Sequence, residues 1–276
     1  MKKLKLVMVG NGMAGVRTLE ELRKIAPDIY DITVFGAEPY ANYNRILLSP
    51  VLAGEQTIKD IMLNDEDWYV DNGITLHLGK KIVTIDRVKR VVIADDGTTA
   101  EYDRLLMATG SNPFMLPVPG KDLQGVISYR DIKDTNDMIA AAAKHTDAIV
   151  IGGGLLGLEA ANGLKLRGMN VTVVHLPEWL MERQLDPVAG KMLQKSLEDR
   201  GLHFARQKYQ GAGWCGWPCQ RDSFYRWQRS AGATGGDGSR HSAQHCAGRG
   251  SWFVLQSRHC RQRHDADLRS ARVCGR

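Results

Sequence analysis

The chain has 276 residues, 43% of them hydrophobic, and a formal net charge of +6. That length accommodates two domains with their own cores, and no stretch reaches the ~18 consecutive apolar residues of a membrane span, so no membrane partner is expected. The positive charge does not imply nucleic acid, because it is confined to one end: residues 206–276 hold 13 of the 37 Lys and Arg but 4 of the 31 Asp and Glu, leaving 24 basic and 27 acidic groups before them.

Taken in chain order, Leu4–Val9 is an apolar run broken only by Lys5, which predicts a buried strand. Val9-Gly10-Asn11-Gly12-Met13-Ala14-Gly15 follows it. From Met13 to about Ala26, Val16, Leu19 and Leu22 recur at helical spacing, with Pro27 just beyond. Ile32–Phe35 predicts a second strand, completing a βαβ unit with a right-handed crossover. Residues 39–67 read as a loop with short helical pieces. Ile74–Leu78 and Ile82–Ile85 predict strands. Val91–Ala94 and Thr98–Tyr102, joined through Asp96-Gly97, form a hairpin signature. Leu105–Ala108 returns to the core.

Asn112–Gly120 contains three prolines and reads as a connector. Asp131–Ala143 predicts a helix. A second βαβ unit follows: strand Ala148–Ile151, helix about Leu155–Arg167, Gly168 as its C-cap, and strand Val171–Val174. Leu185–Arg200 predicts a further helix, with Asp186 as N-cap and Pro187 at its first position.

The character of the chain changes near residue 205. All five Cys lie in 206–276 and all ten Met before it; the segment has twelve Arg, four Trp and only six Leu, Val or Phe. Six such residues cannot offset the chain entropy of a core. The segment is expected to be disordered or aberrant, and an out-of-frame reading near Phe204–Lys208 accounts for its composition. Cys215 and Cys219 form a lone CxxxC that lacks cluster spacing, so no metal site is assigned. The basic segment has no fold to present its charges to nucleic acid. His77 and His145 are isolated and carry no ligand role.

Two motifs carry the chemistry. Gly10 permits the sharp turn from strand to helix, Gly12 lets a pyrophosphate approach the backbone, and Gly15 lets helix and strand pack closely. The helix start, with Met13 and Ala14, offers N–H donors and a partial positive charge to phosphates. Glu38 falls 23 residues after Gly15, where a carboxylate accepts from both hydroxyls of an adenosine ribose. Arg45, in a loop running from Pro39 to Ser49, suits pyrophosphate or flavin carbonyls. Thr109-Gly110 ends a strand where the chain passes over a nucleotide. The second motif repeats the pattern at Gly152, Gly154 and Gly157. Glu159 either faces inward toward a nicotinamide or is a solvated charge. His175 follows the second strand where an acid would favour NADH and an arginine pair NADPH, so the choice stays open. No catalytic side chain is assigned, because hydride chemistry belongs to the cofactors.

Residues 1–204 resemble the two-dinucleotide flavoprotein reductases, and most closely the N-terminal part of the large subunit of bacterial NAD(P)H-dependent nitrite reductase. The resemblance rests on Val9–Gly15, Ala37–Tyr40, Asn42–Pro50, Tyr102–Pro113 and Gly152–Glu159. It implies an α/β fold of two Rossmann-like, three-layer FAD/NAD(P)-binding domains, the second inserted in the first: 1–113 for FAD, incomplete; 114–205 for NAD(P), truncated; then the 206–276 tail. FAD would be held by Gly10, Gly12, Gly15, Glu38, Arg45, Thr109 and Gly110, and NAD(P)H would face Gly152, Gly154, Gly157 and Glu159. It also implies a cytoplasmic electron-entry module for nitrite reduction to ammonium, passing electrons to a downstream redox module or small subunit.

Siroheme and an iron–sulfur cluster would belong only to the full-length family member. Disulfide-type members carry a Cys pair after the first acid; here that region has Arg45 and Ser49. The later Gly-Asp element that closes the FAD site in the family has no counterpart in context, since Asp237 lies within a glycine run. Two alternatives remain: a ferredoxin- or rubredoxin-type NAD(P)H reductase, and an inactive truncated remnant.

Overall fold

The computed structural model describes residues 2–115, 122–206 and 251–255. The chain forms two compact units, one comprising Met1–Leu47 with Thr57–Ser111, the other Leu48–Gln56 with Asn112–Arg276.

The first unit is built on a parallel sheet of β1 (Leu4–Val9), β2 (Tyr30–Phe35), β3 (Ile74–His77) and β7 (Arg104–Met107), in the order β3-β2-β1-β7. A three-stranded antiparallel sheet of β4 (Ile82–Asp86), β5 (Val91–Ala94) and β6 (Thr99–Glu101) accompanies it. The alternation of β1 explains the layering. Leu6 and Met8 join Val16 and Leu19 of helix α1 (Met13–Ile25), while Val7 and Val9 pack with Phe35, Val92 and Ala94. With both faces covered, β1 reads as a continuous apolar run rather than an alternating one. Each such side chain, once buried, contributes about 1.5–3 kcal/mol of transfer free energy. Helix α3 (Glu66–Asp71) completes the unit.

The second unit carries a parallel sheet in the order β11-β10-β9-β12-β8, from β8 (Val126–Ile127), β9 (Asp147–Ile151), β10 (Asn170–His175), β11 (His203–Arg206) and β12 (Ser251–Leu255). Helices α4 (Ile132–Ala142), α5 (Leu155–Leu166) and α6 (Pro187–Asp199) belong to it. Asp186 caps α6, accepting from the N–H groups of Val188 and Ala189 at 2.9 Å each. Gly168 has φ +89°, the left-handed value its C-terminal position requires.

Two features depart from the sequence reading. Helix α2 (Leu48–Ala53), read as part of a loop of the first domain, belongs to the second unit. Leu48, Val51 and Leu52 are buried at i, i+3, i+4 spacing. Leu52 lies where any Cβ on Gly163 of α5 would come within 2.8 Å, and the Arg167 guanidinium donates to the Leu52 carbonyl, satisfying an orphan group at a helix C-terminus, and to the Val51 carbonyl at 3.1 Å.

Strands β8 and β11 were not read from the sequence; β8 has two residues and β11 only four.

Within residues 206–276, Ser251–Leu255 forms β12, parallel to β9 through Ser251↔Asp147 to Leu255↔Ile151 and to β8 through Val254↔Ile127. Trp252–Leu255 is the segment's one apolar run, and the open edge of β9 offers a row of unpaired backbone groups that a strand of any origin satisfies. The expectations for Cys215, Cys219 and Asp237, and for the out-of-frame segment otherwise, fall outside the described residues.

Candidate functional site

In the first unit the glycine turn has the geometry its motif demands. Gly10 has φ +105°, and a Cβ there would sit 2.1 Å from the Ala108 carbonyl oxygen and 2.9 Å from the Cα of Thr109. The exit of β7, carrying Thr109 and Gly110 (φ +68°), therefore lies against the glycine turn. Two backbone bonds hold the arrangement, Gly10 N–H to Phe35 O and Ala108 N–H to Val9 O, both 2.8 Å. A Cβ on Gly15 would meet Ala108 Cβ at 2.8 Å and Met8 Sδ at 2.9 Å, so close helix–sheet packing excludes a side chain. Gly12 differs: nothing lies within 4 Å of where its Cβ would be.

The helix starts carry the same message. Helices α3, α4 and α6 begin on Asp65, Asp131 and Asp186, whose carboxylates accept backbone N–H bonds. Helices α1 and α5 begin on Gly12 and Gly154 with no side-chain cap. Their first internal bonds come from Val16 and Leu158, so the N–H groups of Met13, Ala14 and Gly15, and of Leu155, Leu156 and Gly157, precede them. Two uncapped positive helix ends, each on a glycine turn with φ above +100° at Gly10 and Gly152, suit phosphate anions.

Glu38 stands just past β2, its carbonyl bonded by Gly79 N–H at 3.1 Å. Its carboxylate accepts from the Tyr43 hydroxyl at 2.7 Å and from the Arg45 guanidinium. That guanidinium also lies 5.0 Å from the centroid of the Tyr43 ring. Arg45, expected against pyrophosphate or flavin carbonyls, meets the Glu38 carboxylate. A carboxylate presents about four acceptor sites, so these two donors leave room for ribose hydroxyls. Tyr43 was not singled out by sequence reasoning, although its place five residues after Glu38 was the available signal.

Asn11 was also missed. Its side-chain oxygen accepts from the Tyr69 hydroxyl at 2.7 Å, tying the variable position of the glycine loop to α3. Burial pushes the Tyr69 phenol up to about 12, against the lowering effect of Asn11.

In the second unit, Glu159 is half-buried rather than a solvated charge. It accepts from the Ser49 hydroxyl at 2.6 Å, and Ser49 accepts from the Tyr129 hydroxyl at 3.2 Å. Neither partner was identified from the sequence, because Ser49 and Glu159 are 110 residues apart. His175 turns back onto the glycine loop. Its Nδ1 accepts from Gly153 N–H at 3.0 Å, which assigns the ring proton to Nε2, 3.0 Å from the Trp179 carbonyl. A Cβ on Gly153 would reach within 2.8 Å of this ring.

Beside the site, Asp134 accepts from the Ser128 hydroxyl at 2.9 Å and Arg130 N–H at 2.8 Å. Burial, with the neighbouring Asp131 charge, raises its pKa to about 6, against a lowering from those bonds. The folded state therefore binds this proton more tightly than the unfolded chain. The resulting contribution favours folding at low pH and is lost as pH rises from about 4 toward 6. Urea denaturation of wild type and Asp134→Asn across that range should show the wild type losing stability relative to the variant as pH rises.

The pyridine nucleotide-disulphide oxidoreductase family matches residues 4–209. A nitrite reductase [NAD(P)H] of Bacillus subtilis is 55% identical over 208 residues, which cover 75% of this chain and 26% of that protein. An assimilatory nitrate reductase electron transfer subunit of the same organism is 49% identical over 75% of this chain and 27% of its own length. This chain therefore spans about a quarter of these relatives. Among solved structures, an NADH:rubredoxin oxidoreductase from Clostridium acetobutylicum aligns with TM-score 0.72 and 23% identity, covering 93% of this chain and 58% of that one, a likeness of fold. A putidaredoxin reductase in complex with putidaredoxin gives TM-score 0.68 and 28% identity over 79% of this chain and 52% of that one. With both glycine turns inside the matched residues, the chain belongs to the pyridine nucleotide-disulphide oxidoreductase family.

Proposed function

We propose that this chain is the electron-entry part of an NAD(P)H-dependent, FAD-containing reductase of the nitrite reductase type. The observation that carries the proposal is the pair of glycine-started helices, α1 and α5, that lack the side-chain cap present on α3, α4 and α6. Open space at Gly12 fits the same role, since a diphosphate needs to approach that backbone.

In this reading Gly10, Gly12, Met13, Ala14 and Gly15 hold the FAD pyrophosphate through backbone amides, and Glu38 accepts from the adenosine ribose. Arg45 pairs with Glu38 beside it, and Thr109 with Gly110 line the same turn. In the second unit Gly152, Gly154 and Gly157 hold the NAD(P)H pyrophosphate, and Glu159 accepts from the nicotinamide carboxamide. His175 braces the loop through Gly153. When bound, FAD supplies the two-electron chemistry; the chain supplies binding and orientation. No side chain here is a dithiol electron acceptor, since residues 1–205 contain no Cys. In a whole protein of the nitrite reductase type, a further redox module with siroheme and iron–sulfur chemistry would take the electrons.

Among the described residues no group of three or more His, Cys, Asp or Glu could hold a metal. No described helix is long and apolar enough to cross a membrane.

The rubredoxin-reductase reading is favoured less: a rubredoxin-NAD(+) reductase of Ectopseudomonas oleovorans is 32% identical over 72% of this chain, against 55% for the nitrite reductase. The test is spectroscopic. Purified or FAD-reconstituted protein is expected to show a visible flavin band that bleaches anaerobically on adding NADH or NADPH. A colourless protein that takes up no FAD refutes the proposal for this chain and supports an inactive remnant.

A further inference from the structure

We propose that Ser49 and Tyr129 are positioning residues for the nicotinamide carboxamide, acting through Glu159. The inference rests on the NAD(P)H reading of the second unit and adds to it two residues and a direction of hydrogen bonding.

The three groups form one chain. Tyr129 Oη donates to Ser49 Oγ at 3.2 Å, and Ser49 Oγ in turn donates to Glu159 Oε2 at 2.6 Å. The order is set by chemistry: an ionised carboxylate only accepts, so the serine proton points to Glu159 and its lone pair faces the tyrosine. Both hydroxyls are thereby committed. Tyr129 is buried, at 6% exposure, and burial pushes its phenol up to about 12. It therefore stays protonated and remains a donor. The result is a carboxylate with Oε2 anchored by a short charge-assisted bond and Oε1 left as an acceptor.

Glu159 lies five residues past Gly154, roughly 7.5 Å along the axis of α5. That distance is within the span of a mononucleotide measured from a pyrophosphate at the helix start. A carboxamide offers two N–H donors and needs an acceptor held in one place. Holding Glu159 costs side-chain entropy that binding would otherwise have to supply. Helix α2, packed on α4 and α5 in the same unit, delivers the serine. This gives α2 a reason to reside there that apolar packing alone does not.

The test compares NADH with ADP-ribose, which keeps the pyrophosphate and adenosine but lacks nicotinamide. Dissociation constants are measured by isothermal titration calorimetry on the full chain. Ser49→Ala is expected to weaken NADH by about tenfold and Tyr129→Phe by a smaller factor, about threefold. Both should leave ADP-ribose unchanged, and Ser49→Thr should restore NADH binding. Equal weakening of both nucleotides would mean a merely structural role and overturns the proposal, as does no change in either.

A second readout needs no nucleotide. In thermal unfolding, Ser49→Ala and Glu159→Ala should be non-additive, the double variant losing less than the sum of the singles. Additive losses overturn the pairing. A wild-type chain that binds neither nucleotide refutes the NAD(P)H reading itself. One that binds NADH tightly with both variants unaltered refutes only the positioning role.

Discussion

Gly12→Val is expected to leave the apo protein folded and to weaken FAD binding at least about 100-fold, whereas Gly10→Ala is expected to damage the fold itself. The two residues are two positions apart, and the difference follows from local geometry. Gly12 has φ −87° and ψ 171°, an extended conformation that any residue adopts, and its Cβ would meet nothing within 4 Å. The apo melting temperature should then stay within about 2 °C of wild type, as for an ordinary surface change. The new side chain instead projects where a diphosphate must approach the N–H groups of α1. Losing two charge-assisted bonds at about 1.5–3 kcal/mol each lowers FAD affinity at least about 100-fold.

Gly10→Ala places a Cβ 2.1 Å from the Ala108 carbonyl at φ +105°. Backbone strain of about 1–3 kcal/mol adds to the forced separation of β1 and β7. A loss of about 3 kcal/mol or more, roughly 6–12 °C, should follow. Scanning calorimetry of the apo proteins and flavin retention on a desalting column separate the two. If Gly12→Val melts as low as Gly10→Ala, Gly12 is a structural glycine and the phosphate reading of the first motif fails.

The second large effect concerns Glu38. Glu38→Ala removes the acceptor assigned to two ribose hydroxyls, each bond to a charged acceptor being worth about 1.5–3 kcal/mol. FAD affinity is expected to fall about 100-fold or more. Stability should change little, because the Glu38 and Arg45 side chains are 31% and 26% exposed, and a pair so placed contributes at most about 1 kcal/mol. Fluorescence titration of FAD into the apo variant measures the loss. Unaltered FAD affinity would show that Glu38 serves only to hold Tyr43 and Arg45.

Local sequence signals carried much of the fold and the turns. Leu4–Val9, the Val16–Leu19–Leu22 stripe, Asp96-Gly97 and the Asp186-Pro187 start each correspond to elements within a residue or two of where periodicity and capping chemistry place them. Gly10 and Gly152 were identifiable because a strand-to-helix turn with positive φ admits little else. Periodicity failed where packing between distant segments decides. Leu48–Ala53 buries three apolar positions in six residues, too few to reveal that they seal α4 and α5 rather than the unit that precedes them. Ser251–Leu255, from a segment too poor in apolar residues to supply a core, takes a place between β8 and β9 that only the sheet topology reveals.

The identity of the two glycine turns and of the acid beyond β2 is a property of short stretches, since turn conformation and helix-end electrostatics arise within a few residues. The company those residues keep is not. That Glu38 meets Arg45 and Tyr43, that His175 folds back on Gly153, and that Glu159 accepts a hydrogen bond from Ser49 across 110 residues depends on chain segments brought together by burial of apolar surface. Non-directional burial chooses the neighbours, and only afterwards do hydrogen-bond geometry and charge decide what those neighbours can do.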